Sequence, residues 1–578
     1  MEYINLNKSG MNKLNSKSII NHTGSKVNTS LLIFYVLLIF KTTLSAQDTQ
    51  GFFLDDSRLK VAAIPQYEEY SQPSTPPDVS VSINFSDTIA KISKYIYGNN
   101  SNIYMGQMVT EPDLIKYIKN LSPNIIRYPG GNLTNLFFWD ESKKKRPANV
   151  PDTIINGKQY PGEYWYGRNT DSFTMSVDNY YLMLKHTKST GLICVNFGYA
   201  RYGMGTSPVQ SAAHLAANWV RYDKGRTKFW EIGNENYGPW QAGFQIDTVL
   251  NNNGQPKIIS GELYGTYFKI FADSMRSAAK EIRSKIEIGA VIVEVEKPKS
   301  WYNPVEANWN KGFFKTAGNY SDFFAIHSYF TPYMENSTPA TILNSANSET
   351  LRMMEYMKKM CSDFNVKLKP IALTEWNIFA VNSKQSCSFI SGMHAVLVLG
   401  ELAKNKYGEA SRWDFANGYA KGDDHGMFNI GDEADAPKWN PRPAYFYMYY
   451  FQKFFGNLMI SSTVQGSDDI VVFASKFSSG QVGVVIINKG ATEKTVNLDV
   501  INFKAGKRYY LYSLTGGKDN GDFSQCVFVN GHAPDNETGG PIKNLENIKA
   551  FASSTNKNIV LSSPEYSVQY ILVDNDNK

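Results

Sequence analysis

Cysteine is scarce in this chain, and the four present, Cys194, Cys361, Cys387 and Cys526, lie scattered through 578 residues. Their spacing fits neither a disulfide-stapled scaffold nor a cysteine metal site, which leaves isolated thiols and at most one or two bridges. Excess charge is missing as well. Of the net charge of +6, residues 1–46 supply five lysines against one glutamate, so the remainder carries only +2. A basic face for nucleic acid therefore has no support. Long apolar runs are absent: the one from Leu31 to Phe40 is ten residues, against about 20 for a membrane-spanning helix. There is no low-complexity tract and no repeat of solenoid length. Pro129-Gly130-Gly131-Asn132 lacks both the lysine of a phosphate loop and the third glycine of a dinucleotide fingerprint, and reads as a tight turn.

The short apolar run, with lysines before it and Lys41 and Leu44-Ser45-Ala46 after it, has the anatomy of a secretory signal peptide over 1–46. Met11 offers a second start. The mature chain would then be exported, to the medium, the periplasm or the cell surface, with no permanent anchor. Residues 47–78 end in a proline-rich stretch, Ser71 to Asp78, and read as a loosely ordered linker. Val79-Ser-Val-Ser-Ile-Asn-Phe85 alternates with period two, so residues 79–92 are assigned to a strand with one wet face that joins a C-terminal sheet.

With 42% hydrophobic residues the chain can fill a large core, and its length calls for two folded domains. Over 93–455, short apolar runs alternate with longer helical patterns, the signature of a parallel sheet wrapped by helices. Eight candidate strands can be counted, at Ile96–Gly98, Ile125–Tyr128, Ile193–Phe197, Lys228–Ile232, Ile286–Ala290, Phe323–His327, Pro370–Leu373 and Arg412–Ala416. Helical stretches between them are clearest at Leu263–Arg283, Glu349–Phe364 and Phe389–Ala403. The pattern predicts a (β/α)8 TIM barrel. Beyond the aromatic stretch Ala444–Phe455, alternating strands such as Val482–Asn488 and Tyr509–Leu514 predict an all-β sandwich over 456–578.

Barrel enzymes place their chemistry where strands end. Glu235 closes Phe229-Trp-Glu-Ile-Gly-Asn-Glu after strand four, and Glu375 lies in Pro370-Ile-Ala-Leu-Thr-Glu-Trp-Asn377 after strand seven. Two carboxyls about 5 to 5.5 Å apart, one acid and one nucleophile, are the minimum for retaining cleavage of a glycosidic bond. Glu235 suits the acid/base. Glu375 suits the nucleophile, with Arg127 at the end of strand two to hold it ionised. Glu231 sits four strand residues from Glu235, about 13 Å if the chain stays extended, and reads as an interior acid paired with a polar neighbour.

Asn234 and Asn196 are candidate ligands for sugar hydroxyls. His327 and Tyr329, ending strand six, are placed to orient Glu375, although a hydrogen-bonded core histidine and a packing tyrosine would look the same. Trp376 and Trp413 are candidate sugar-stacking walls against the alternative of burial. Gly422-Asp-Asp-His425 and Gly431-Asp-Glu-Ala-Asp435 match no calcium-loop spacing and read as a polar loop. Neither metal nor cofactor is called for.

The segments Ile126-Arg-Tyr-Pro-Gly-Gly-Asn132, Trp230-Glu-Ile-Gly-Asn-Glu235 and Thr374-Glu-Trp-Asn377 resemble glycoside hydrolase clan A, most of all the alpha-L-arabinofuranosidases of family 51, over roughly residues 93 to 455. The resemblance implies a barrel with an attached β-sandwich, an acid/base Glu on strand four, a nucleophile Glu on strand seven and net retention. Glu235, Glu375, Asn234 and Arg127 match residue by residue. The chain departs from the family at Asn236-Tyr-Gly-Pro-Trp240, where an acid often follows, and no substrate-binding acid stands near Gly98-Asn99-Asn100. Clan members with similar motif pairs act on xylosides, glucuronides, agar and β-glucans. The expectation is thus a carbohydrate-cleaving enzyme on plant or algal polysaccharide or its oligosaccharides. An endo-acting hydrolase of agarase, xylanase or β-glucanase type, a non-catalytic carbohydrate-binding protein and a metal-dependent lyase are the alternatives. The sequence is silent on oligomeric state.

Overall fold

A computed structural model describes residues 49–576 apart from 144, 252, 382, 420–424, 435, 519, 520 and 557. These residues fall in one unit of the chain, Asp48–Lys578. The leader assigned to 1–46 lies outside the described residues. Among those described, no helix is long and apolar enough to cross a membrane.

Eight parallel strands close into a barrel: β1 Gly98–Asn100, β2 Ile125–Tyr128, β3 Thr190–Val195, β4 Phe229–Ile232, β5 Glu287–Val291, β6 Phe323–Tyr329, β7 Ile371–Asn377 and β8 Glu409–Arg412. Nearly every residue in them is buried, as expected where helices cover the outside and side chains fill the inside. The first and last strands differ from the expected runs. Ile96 belongs to a short turn of helix, Lys94–Ile96, opened by the Ser93 side chain, and β1 starts at Gly98. A Cβ on Gly98 would lie 2.4 Å from the Ala410 carbonyl oxygen, so the seam between β1 and β8 requires glycine. The eighth strand begins earlier than its apolar run suggests, because it opens on the buried acid Glu409.

The covering helices include Gly261–Glu281, Pro339–Asp363, Phe389–Lys404 and Pro443–Phe454. The first three start at Ser260, Thr338 and Ser388, whose side chains accept from the backbone three residues on, caps worth about 1 kcal/mol each.

Val79–Lys91 pairs antiparallel with Leu458–Gln465 and parallel with Lys494–Ile501, inside an eleven-stranded sheet built mainly from the C-terminal region. Val79, Val81 and Ile83 point into the core of that all-β domain with Val484, Ile486 and Leu561. Its other side joins the barrel core through Tyr512 and Tyr570, beside Tyr450 and Phe454 of the helix Pro443–Phe454. The architecture is therefore a (β/α)8 barrel with an all-β C-terminal domain.

Residues 47–78 are not a linker throughout. Phe53 is fully buried, its ring 4.9 Å from Phe229, 5.6 Å from Phe323 and 6.0 Å from Tyr95. Phe229 and Phe323 open β4 and β6, so the segment stoppers the N-terminal end of the barrel. The Thr49 carbonyl accepts from the Ile371 amide at 3.0 Å, and Tyr67–Glu69 adds a strand beside Ala550–Ser554. The prolines cluster only near Asp78, whereas Phe52-Phe53-Leu54 carries enough apolar surface to fix its part of the segment.

Candidate active site

The site is assembled from the C-terminal ends of five barrel strands. Beyond β4 the chain turns sharply: Gly233 has φ +85° and Glu235 φ +42°. A Cβ on Gly233 would lie 2.0 Å from Asn236 Oδ1, so only glycine fits. Glu235 occupies a left-handed conformation that costs a non-glycine residue of order 1–3 kcal/mol, a kind of strain that collects at functional sites. The turn also cancels the 13 Å separation expected for an extended chain, because Glu231 and Glu235 both reach His327. Nε2 of its ring lies 3.8 Å from Glu231, and Nδ1 lies 3.0 Å from Glu235.

His327 owes its position to a bulge at Ile326/His327, which sets it opposite Glu375 in the register of β6 and β7. Its Nδ1 is 3.6 Å from Glu375 Oε2. Two residues on, the Tyr329 hydroxyl donates to Glu375 Oε1 at 2.6 Å. One oxygen of Glu235, one of Glu375 and a His327 nitrogen all lie within 4.8 Å of one another.

Arg127, wholly buried on β2, is the hub beneath them. It donates to Glu231 at 2.8 Å, to Asn234 Oδ1 at 2.8 Å, to Asn100 Oδ1 at 3.0 Å and to Glu375 at 3.2 Å. Burial works against its charge, and Glu231 and Glu375 more than restore it. Burial would likewise raise Glu231, but Arg127 and His327 bring it down to about 2. Glu231 is thus a permanent interior anion held by the guanidinium and the imidazole, with Cys194 Sγ 3.2 Å away.

The electrostatics of the carboxyl pair differ from the simple expectation. Burial and the charge of Glu235 raise Glu375 above the ordinary carboxyl range, against the pull of His327, Arg127 and Tyr329. Arg127 does bond Glu375, but its charge is shared with Glu231. Burial also acts to raise Glu235, yet the hydrogen bond and charge of His327 outweigh it and leave Glu235 lowered. His327 itself, penalised by burial, is driven up to about 10 by Glu375 and by its bonds to Glu231 and Glu235. The imidazole is a cation at neutral pH, with one N–H for each side of the site.

Of the other residues singled out in the sequence, Asn234 faces Arg127 through Oδ1, and its buried Nδ2 has no hydrogen-bond partner among the described residues, an available donor for a hydroxyl. Asn196 is different. It donates to the Phe137 carbonyl at 3.2 Å and the Tyr202 hydroxyl at 3.0 Å, and accepts from the Tyr199 amide at 3.0 Å, so it pins neighbouring loops and does not face sugar. Trp376 is also misplaced as a stacking wall. It is fully buried, edge-on to Phe330, because alternation along β7 turns it outward when Glu375 points inward. Trp413 lies over the glycine turn, where a Cβ on Gly131 would be 2.6 Å from its ring, and only a narrow edge remains exposed.

Sequence reasoning passed over four neighbours. The Trp240 indole donates to Glu235 Oε2 at 2.8 Å, Gln241 reaches the same oxygen at 3.5 Å and Asn132 at 2.7 Å, and Asn100 braces Arg127. Trp240 and Gln241 stand five and six residues past Glu235, and that nearness was the available signal. Glu235, His327 and Glu375 have the donor types for a metal, but a cation there would have to displace the proton that His327 holds up to about 10. In the polar loop, Asp423, Asp424 and Asp435 lie outside the described residues, while Glu433 is ion-paired with Arg442 at 3.0 Å.

Comparison with known proteins agrees with this geometry. The family model described as "Alpha-L-arabinofuranosidase 1 domain" matches residues 117–332. The "Probable alpha-L-arabinofuranosidase C" of Aspergillus fumigatus is 27% identical over 204 residues, covering 30% of this chain and 37% of that protein. The "Intracellular exo-alpha-(1->5)-L-arabinofuranosidase" of Streptomyces lividans is 21% identical over 294 residues, covering 47% of this chain and 38% of that protein. The chain thus spans less than two fifths of the length of these curated relatives. Among solved structures, the alpha-L-arabinofuranosidase of Thermotoga maritima in complex with arabinose has a TM-score of 0.60 at 17% identity, covering 86% of this chain and 99% of that one, a likeness of fold. By barrel, paired carboxyls and matching domain, the chain is similar to the glycoside hydrolases of clan A, most of all to the family 51 alpha-L-arabinofuranosidases.

Proposed function

We propose that this protein is an exported, retaining glycosidase that releases alpha-L-arabinofuranosyl units from plant or algal polysaccharide or its fragments. The observation that carries the mechanism is the convergence of Glu235 and Glu375 with oxygens inside 4.8 Å of each other. That fits direct attack by one carboxylate, for which the two carboxyl groups stand about 5–5.5 Å apart. The sugar is suggested by the matching domain and the names of the relatives, and export by the leader-like residues 1–46.

Glu235, strained in its turn at the barrel mouth, is the acid/base. His327 stores the proton: its Nδ1–H bonds Glu235 Oε1, so the proton can pass to Glu235 as the leaving oxygen enters. Glu375, oriented by Tyr329 and Arg127, attacks the anomeric carbon. The Glu375–carbon bond forms as the carbon–oxygen bond breaks and the leaving oxygen takes the proton of Glu235. Glu235 then removes a proton from water, which displaces Glu375 and restores the starting configuration. Asn234 Nδ2 supplies a hydrogen bond to a ring hydroxyl.

A panel of 4-nitrophenyl glycosides tests the reading. Hydrolysis of the alpha-L-arabinofuranoside, lost in Glu375→Ala, is the expected result. A chain that cleaves no member of the panel, yet binds polysaccharide, would be a carbohydrate-binding protein instead.

A further inference from the structure

The loops that follow β5, β6 and β7 carry aromatic rings that the chemistry above leaves unused. Tyr302 and Tyr333 are 70% and 71% exposed. They are not scattered surface residues, for each rests on a ring that is itself fixed. Tyr333 meets Phe379 edge-on at 4.9 Å, Phe379 stacks on Tyr329 at 4.2 Å and 14°, and Tyr329 donates to Glu375. An unbroken run of rings therefore leads from Glu375 out to solvent.

Tyr302 lies 4.7 Å from Trp301. The Trp301 indole donates to Glu306 at 2.7 Å, and Lys297 sits 5.6 Å above its ring while pairing with Glu294 and Glu306. Next to it, Asn303 donates to the Tyr237 carbonyl at 2.8 Å, which ties this loop to the turn bearing Glu235. The two phenols are electrostatic neighbours: burial, then Glu306, then Tyr333 push the Tyr302 hydroxyl up.

We propose that Tyr302 and Tyr333 form a stacking subsite for sugar rings of the substrate chain beyond the bond that is cut, so that the cleft grips an oligosaccharide or polymer as well as the residue it releases. The inference rests on the glycosidase reading. Sugar rings offer flat C–H faces with hydroxyls at the rim, which suit a tyrosine whose ring is exposed and whose hydroxyl stays in water. Rings braced from behind lose little freedom on binding. Their place on two consecutive loops of the catalytic face, with Tyr333 continuous with the Glu375 ring stack, favours a saccharide over a protein partner.

The test uses the full chain, Tyr302→Ala/Tyr333→Ala and the ring-keeping pair Tyr302→Phe/Tyr333→Phe. Affinity electrophoresis through soluble arabinan, arabinoxylan and xyloglucan should show the parent and the Phe pair retarded by at least one polymer, with affinity roughly fivefold or more weaker in the Ala pair. The kcat/KM of the Ala pair on 4-nitrophenyl alpha-L-arabinofuranoside should fall much less than its polymer affinity. An Ala pair that binds as tightly as the parent, or a parent retarded by none of the polymers, overturns the subsite. Tyrosine-dependent retardation without cleavage of the aryl furanoside would support the subsite and remove the sugar assignment.

Discussion

His327 Nδ1 stands 3.0 Å from Glu235 Oε1, which makes the imidazole a titratable hydrogen-bond partner of the proposed acid/base. With His327 raised to about 10 and Glu375 raised by burial and by Glu235, kcat/KM should fall on the alkaline side as His327 loses its proton. It should fall on the acid side, above the ordinary carboxyl range, as Glu375 gains one. His327→Gln should lower kcat/KM on an aryl glycoside by about 10²-fold or more and remove the limb near pH 10. A pH–rate profile with both limbs unmoved would rule out the proton store.

The buried charges should also shape stability. His327 is raised from 6.5 to about 10, so its contribution is complete below pH 6.5 and is lost as pH rises through about 10. Glu231 is lowered from 4.5 to about 2, so its contribution is complete above pH 4.5 and is lost as pH falls through about 2. Arg127→Met removes the guanidinium that buried Glu231 and Glu375 share, at a cost of about 3–5 kcal/mol near neutral pH. Thermal melts at pH 6 should show this as a large fall in Tm, and a variant as stable as the parent would contradict the hub role.

Glu375→Ala should lose turnover and regain it with azide, giving a glycosyl azide of inverted configuration. Glu235→Ala should keep measurable activity only on substrates with good leaving groups such as 4-nitrophenol. Parent-level hydrolysis of an ordinary oligosaccharide by either variant would show that the residue is misassigned.

Phe53→Ala should open a cavity at the closed end of the barrel, far from the carboxyl pair, and cost about 3–5 kcal/mol. Urea unfolding reads the loss, with kcat/KM of the folded variant near that of the parent. A cost under about 1 kcal/mol would mean that the segment only leans on the barrel.

Most of the barrel was legible because its strands are continuous apolar runs and its helices are long and periodic, as at Phe389–Lys404. Phe53 was not, since a two-ring patch inside a polar stretch carries no period. In the site, the motif residues Arg127, Glu235 and Glu375 stand out by their strand-end positions, and the structure brings them together. Trp376 and Asn196 were misjudged for one reason: a strand end shows that a residue is near the mouth, but not which way its side chain points. Trp240 was hidden by the turn after β4, which folds it back onto Glu235. The cationic state of His327 depends on three carboxyls separated by up to 144 residues in sequence, and no local pattern encodes it.

The central claim, that Glu235 and Glu375 work as a retaining pair, is tested most directly by proton NMR of the sugar first released from 4-nitrophenyl alpha-L-arabinofuranoside. The account predicts that the alpha-anomer appears first and then mutarotates. Initial release of the beta-anomer would contradict it.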